Sequence, residues 1–90
     1  ELQIQMAEGE NKAFVARLQK ELRFDDAVDV ITIDGIRVEW ADGFALARSS
    51  NTTPVVVLRL EGETPEALER IKKTFGDALR AVDPSLELPF

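Results

Sequence analysis

Leu2, Ile4 and Met6 alternate with Gln3 and Gln5, the period-two pattern of a half-buried strand. From Gly9 the period changes. Phe14, Leu18 and Leu22 recur at i, i+4 and i+8 with Val15 beside them, while Lys12, Arg17, Gln19 and Lys20 fall mostly opposite. This predicts an amphipathic helix that stops near Arg23, ahead of the Asp25-Asp26 pair. Residues 28–40 place two β-branched runs on either side of Asp34-Gly35. That spacing predicts a two-residue type I′ hairpin with positive φ at both central positions. In its second arm Ile36, Val38 and Trp40 point one way, Arg37 and Glu39 the other. A second Asp-Gly pair, Asp42-Gly43, leads into the short run 44–48, and a polar loop follows. Residues 55–62 are apolar on both faces from Val55 to Leu58, as an interior strand requires. Thr64 is a good N-cap, with Pro65 at the first helical position where a missing N–H loses nothing. Leu68, Ile71, Phe75, Ala78, Leu79 and Val82 then form a helical stripe. Glu66–Arg70 and Glu69–Lys73 are spaced for i,i+4 ion pairs. Gly76 weakens this helix by about 1 kcal/mol relative to alanine. Asp83-Pro84 ends it, and an apolar tail closes the chain.

The order is therefore β-α-β-β-β-β-α. Two amphipathic helices cannot bury their stripes alone. Both are satisfied on one face of a mostly antiparallel sheet, which predicts a two-layer α+β domain. Ninety residues fit one domain, 1–90, without linkers or repeats. With 17 acidic against 11 basic residues the net charge is −6, which argues against nucleic acid as a partner. No cysteine and no histidine are present. Disulfides, thiolate metal sites and histidine general bases are thereby excluded. No apolar run reaches membrane-spanning length and no signal-peptide pattern is visible, so a soluble, intracellular chain without membrane contact is expected. A first residue Glu1 rather than Met suggests a segment of a longer chain.

Few groupings carry chemistry. Asp25, Asp26 and Asp29, and likewise Glu61 and Glu63, read as solvated element ends rather than as metal or acid–base sites. Trp40, alternating with Ile36 and Val38, reads as core rather than as a stacking platform. Residues 48–54, Arg-Ser-Ser-Asn-Thr-Thr-Pro, differ from these. They combine one cation with five small hydroxyl or amide side chains and no acid. An arginine fork, short side-chain donors and turn N–H groups suit the oxygens of a phosphate. Composition alone favours a plain hydrated hairpin loop over a phosphate site.

The stretch from Asp34 to Ile71, DGIRVEWADGFALARSSNTTPVVVLRLEGETPEALERI, closely resembles the C-terminal domain of the bacterial phosphomannomutase/phosphoglucomutase group within the α-D-phosphohexomutase family. The core of the resemblance is that family's arginine-x-Ser-Asn-Thr phosphate loop, present here as Arg48, Ser49, Ser50, Asn51 and Thr52. A second signature, DGIRV at 34–38, lies at the proper place upstream, and the terminal Leu88-Pro89-Phe90 also agrees.

The resemblance implies a TATA-binding-protein-like fold in a four-domain, magnesium-dependent enzyme. Such an enzyme interconverts hexose 1-phosphate and 6-phosphate through a phosphoserine and a bound 1,6-bisphosphate. The phosphoserine, the Mg2+ site and the sugar-reading loop belong to other domains, so the isolated chain is expected to bind no metal and catalyse nothing. Carried onto this sequence, Arg48, Ser50, Asn51 and Thr52 become ligands of the non-reacting phosphate, with Ser49 and Thr53 as possible support. The partners implied are a mannose or glucose phosphate and the other domains of the same chain. The alternative from another class is a stand-alone protein-interaction module.

Overall fold

The computed structural model describes residues 2–90. Its elements run β1 (Leu2–Gln5), α1 (Glu10–Glu21), β2 (Asp29–Ile31), β3 (Ile36–Trp40), β4 (Gly43–Ser49), β5 (Val55–Gly62) and α2 (Pro65–Val82). The five strands make one sheet in the order β1-β5-β4-β3-β2, and every pairing is antiparallel. This is the α+β arrangement expected from the hydrophobic pattern. β5 is interior, flanked by β1 and β4.

Both helices lie on one face of the sheet. Phe14, Val15 and Leu18 of α1 and Ile71, Phe75 and Leu79 of α2 join one core with Ile4, Ile36, Val38, Trp40, Ala45, Ala47, Val56 and Leu58. These strand residues alternate with those of the opposite face, as the pleat demands. Trp40 belongs to this core and meets Phe24 edge-on at 5.8 Å between ring centroids. The tail packs back as well: Leu86, Leu88 and Phe90 lie against the core.

Thr64 caps α2 as expected, its Oγ1 accepting from the Ala67 N–H at 3.0 Å. The surface pairs differ from those expected. Arg70 reaches Asp42 in the β3–β4 turn rather than Glu66, and Lys73 pairs with Asp77 rather than Glu69. Asp42 offers a partner fixed by tertiary structure, which outcompetes a helical neighbour worth only a few tenths of a kcal/mol.

The β2–β3 turn also departs from expectation. Ile31 pairs with Arg37, so the connection is longer than two residues, and Gly35 alone has positive φ, at +76°. The carbonyls of Thr32 and Gly35 both accept from Gln19 Nε2, at 3.1 and 2.8 Å. A helix side chain holds this turn, and Asp34 need not adopt the left-handed conformation that a type I′ turn would impose.

Candidate functional site

Strand register decides where the candidate residues stand. Arg48 and Ser49 are the last residues of β4, opposite Val57 and Val56 of β5. They are ladder residues, not loop residues as the sequence suggested. The true loop is 50–54. β4 extends this far because β5 offers unbroken β-branched partners at Val55–Val57. Alternation puts Ala47 in the helix-side core and Arg48 on the opposite face of the sheet.

Beside Arg48, at the start of β3, stands Gly35. A Cβ there would lie 2.2 Å from the Ala47 carbonyl oxygen and 2.8 Å from Arg48 Cβ. The glycine of the upstream signature and the arginine of the loop signature are thus spatial neighbours. Arg48 is half-buried and enters none of the ion pairs found among the described residues.

The loop folds around one hydroxyl. Ser50 Oγ accepts from the Thr52 and Thr53 N–H groups, both at 3.3 Å, and from Thr53 Oγ1 at 3.2 Å. Thr52 Oγ1 lies 3.3 Å away from it. Two backbone N–H groups and two threonine hydroxyls therefore converge on one oxygen. All these contacts are longer than a strong hydrogen bond of their type. The donors are gathered but weakly committed, and an anionic oxygen could take the place of a serine hydroxyl. Asn51, Thr52 and Thr53 are exposed, Ser49 and Ser50 half-buried.

What fixes the loop is a residue the sequence reading passed over. Asn11, in the first turn of α1, is 3% exposed. Its Nδ2 donates to the carbonyls of Ser50 at 3.1 Å, Thr53 at 3.3 Å and Val55 at 3.0 Å. Both ends of the loop are bound to the helix by one amide. Asn11 lies three residues before Phe14 and seven before Leu18, so it sits on the buried stripe. A polar residue on a buried stripe must be hydrogen-bonded, and that was the signal available. Next to it, Lys12 Nζ donates to Asn51 Oδ1 at 3.0 Å. The Met6 N–H donates to the Pro54 carbonyl at 2.9 Å, tying the exit of β1 to the same rim.

The remaining candidates do not assemble. Among the described residues no group of three or more acidic side chains is arranged to hold a metal ion, so Asp25, Asp26 and Asp29 make no such site. Asp42 is held below the ordinary carboxylate range by its hydrogen bond from Arg70, and Asp83 by its hydrogen bonds from Ser85. Neither lies in the loop. A groove of about 740 Å³ runs between β1, α1 and the tail, and no residue of 48–54 lines it. The loop stands on an open rim, with Asn51, Thr52 and Thr53 facing solvent. No helix of the described chain is long and apolar enough to cross a membrane.

Residues 1–78 match the family described as phosphoglucomutase/phosphomannomutase, C-terminal domain. The chain is 44% identical over 90 residues to a phosphomannomutase/phosphoglucomutase of Pseudomonas aeruginosa, covering all of this chain and 19% of that protein. It is 46% identical to a phosphoglucomutase of Neisseria meningitidis, again covering 19% of the relative. Among solved structures, a phosphoglucomutase/phosphomannomutase family protein from Burkholderia thailandensis superposes with a TM-score of 0.87 at 50% identity. That match covers 99% of this chain and 18% of the other. The chain thus spans about a fifth of the length of these relatives. On this match of sequence and fold, it belongs to the phosphoglucomutase/phosphomannomutase family, as a C-terminal domain of that family.

Proposed function

We propose that this chain is the phosphate-gripping C-terminal domain of a cytoplasmic enzyme that interconverts hexose 1-phosphate and hexose 6-phosphate through a bound 1,6-bisphosphate. Arg48, Ser50, Asn51 and Thr52 bind the phosphate that is not reacting, with Ser49 and Thr53 supporting the loop. The domain closes over a cleft formed with the rest of the enzyme, and its partners are a mannose or glucose phosphate and those other domains.

One observation carries this reading. The Thr52 and Thr53 N–H groups and the Thr53 hydroxyl point at a single oxygen, on an open rim beside an arginine with no ionic partner among the described residues. Phosphate recognition needs donors converging from several directions plus positive charge. An open rim also suits a site completed by another domain.

The chemistry explains why such a site is worth having. A 1,6-bisphosphate that transfers either phosphate must bind in two orientations. Donors aimed at phosphate alone accept both, because they do not read the sugar. Binding energy gathered here positions the distant reacting group. Magnesium, which the family resemblance implies, finds no acidic cluster to hold it among the described residues. It belongs to another domain in this proposal.

The test is Arg48→Ala in the complete enzyme. Loss of a charge-assisted hydrogen bond removes about 1.5–3 kcal/mol, which corresponds to roughly 10- to 150-fold in kcat/KM. Arg48→Lys should recover part of this, because a point charge does not reproduce the planar fork. Steady-state kinetics with melting curves decide the matter. Near-normal kcat/KM in a folded Arg48→Ala enzyme would refute the role.

A further inference from the structure

We infer that Lys12 is a positioning residue of the phosphate site, an inference that rests on the phosphate role proposed above for the 50–53 loop. Lys12 turns the Asn51 side chain so that its NH2 group faces the ligand.

Rigidity is the first ground. An exposed lysine touching an exposed asparagine is ordinarily a passing surface contact. Here Asn11, the residue before Lys12, is buried and ties the first turn of α1 to the carbonyls on both sides of Asn51, at Ser50 and Thr53. The helix turn and the loop are one body. The 3.0 Å contact from Lys12 Nζ to Asn51 Oδ1 is made within that body.

Donor chemistry supplies the second step. An ammonium group only donates, and an asparagine amide has one accepting and one donating end. With Oδ1 held against Lys12, the Nδ2 end points away, and its two N–H groups make no hydrogen bond among the described residues. An amide left to rotate can present either end, and its oxygen facing a phosphate would be repulsive. Lys12 removes that alternative.

Charge placement agrees. Arg48 stands on the face of the sheet opposite the helices, whereas Lys12 belongs to α1 on the helix face. The rim between them has a cation on each side, and neither cation is engaged in an ion pair among the described residues. Glu10, the acid nearest in sequence, is turned away: its Oε1 accepts from the Ala7 N–H at 3.0 Å.

The experiment is steady-state kinetics and thermal melting of the complete enzyme carrying Lys12→Met, Lys12→Arg, Asn51→Ala and the Lys12→Met/Asn51→Ala double change, with hexose 1-phosphate as substrate. Lys12→Met is expected to raise KM about fivefold, the worth of one ordinary hydrogen bond, with an unchanged melting temperature. Lys12→Arg, which still donates to Oδ1, should restore most of the loss. In the Asn51→Ala background Lys12→Met should add little, because the group it orients is gone. A KM within twofold of the parent for Lys12→Met overturns the inference. So does a full Lys12→Met effect in the Asn51→Ala background, which would assign Lys12 a general electrostatic role. Arg48→Ala, assayed alongside, separates the premise from the inference. If it is silent, the phosphate reading falls and this inference with it; if it is impaired while Lys12→Met is silent, only the inference falls.

Discussion

Replacing Asn11 by alanine removes one buried amide and three hydrogen bonds in a single step. The three carbonyls are not equally affected. Thr53 O keeps the Val55 N–H at 2.9 Å, and Val55 O keeps the Ser50 N–H at 3.0 Å. Ser50 O keeps no other protein donor among the described residues, though it is half-buried and water can reach it. An ordinary hydrogen bond contributes about 0.5–1.5 kcal/mol net. Three contacts shared by one NH2 group, one of them at 3.3 Å, are worth about 2 kcal/mol together. For a domain of this size that lowers the melting temperature by roughly 8–16 °C.

Asn11→Asp sharpens the argument because it preserves shape. At neutral pH the carboxylate cannot donate and faces three carbonyl oxygens, so the loss should exceed that of alanine. Burial and those oxygens raise its folded-state pKa above the ordinary value of about 3.9. The folded state then binds more protons than the unfolded one, so stability rises as pH falls. Thermal unfolding followed by circular dichroism from pH 7 to pH 4.5 reads both effects. The reasoning fails if Asn11→Ala melts within about 0.5 kcal/mol of the parent, or if Asn11→Asp is the more stable of the two at pH 7.

Three further outcomes are expected. Gly35→Ala should destabilise by about 2 kcal/mol or more, from positive-φ strain and a Cβ only 2.2 Å from the Ala47 oxygen; a denaturant midpoint equal to the parent's would contradict this. Asp42 is held below its ordinary pKa chiefly by the hydrogen bond from Arg70. Its contribution is therefore complete above the unfolded-state value of about 4 and lost as pH falls through the lower folded-state value. The stability curves of the parent and Asp42→Asn should separate above that window and converge below it, and parallel curves would exclude the pair as the source. Backbone order parameters from NMR relaxation, without ligand, should be lowest at Asn51 and Thr52, whereas Ser50 and Thr53, held by Asn11, should approach Val55–Leu60; equal values at Asn51 and Leu58 would show that the loop is as rigid as the sheet.

The fold was legible because its signals are local. Strict alternation at 2–6 and 36–40, the apolar run at 55–58 and the capped stripe after Thr64 each depend on neighbours in sequence. The motif at the candidate site was legible for the same reason, since Arg48 to Thr52 are contiguous. Its support was not. Asn11 lies 39 residues before Ser50, and Gln19 lies 16 before Gly35. Both look like ordinary polar residues of a helix until the sheet brings the turns beneath them. The partner of Arg70 on α2 was misassigned for a related reason. Helical spacing names a candidate partner, but Asp42 approaches Arg70 only through the β3–β4 turn.

The split between ladder and loop bears on how such a site could grip phosphate. Ordering a flexible segment on binding costs about 1–2 kcal/mol per residue in backbone entropy, and a long free loop would lose much of its affinity that way. Here Arg48 is already fixed by pairing with β5. Ser50 and Thr53 are fixed by Asn11. Only Asn51 and Thr52 remain between the anchors, and Lys12 restrains the first of these. Most of the ordering has therefore been met on folding, before any ligand arrives. In the proposed role, binding energy from a phosphate would then be available to hold a cleft together and position the far end of the substrate.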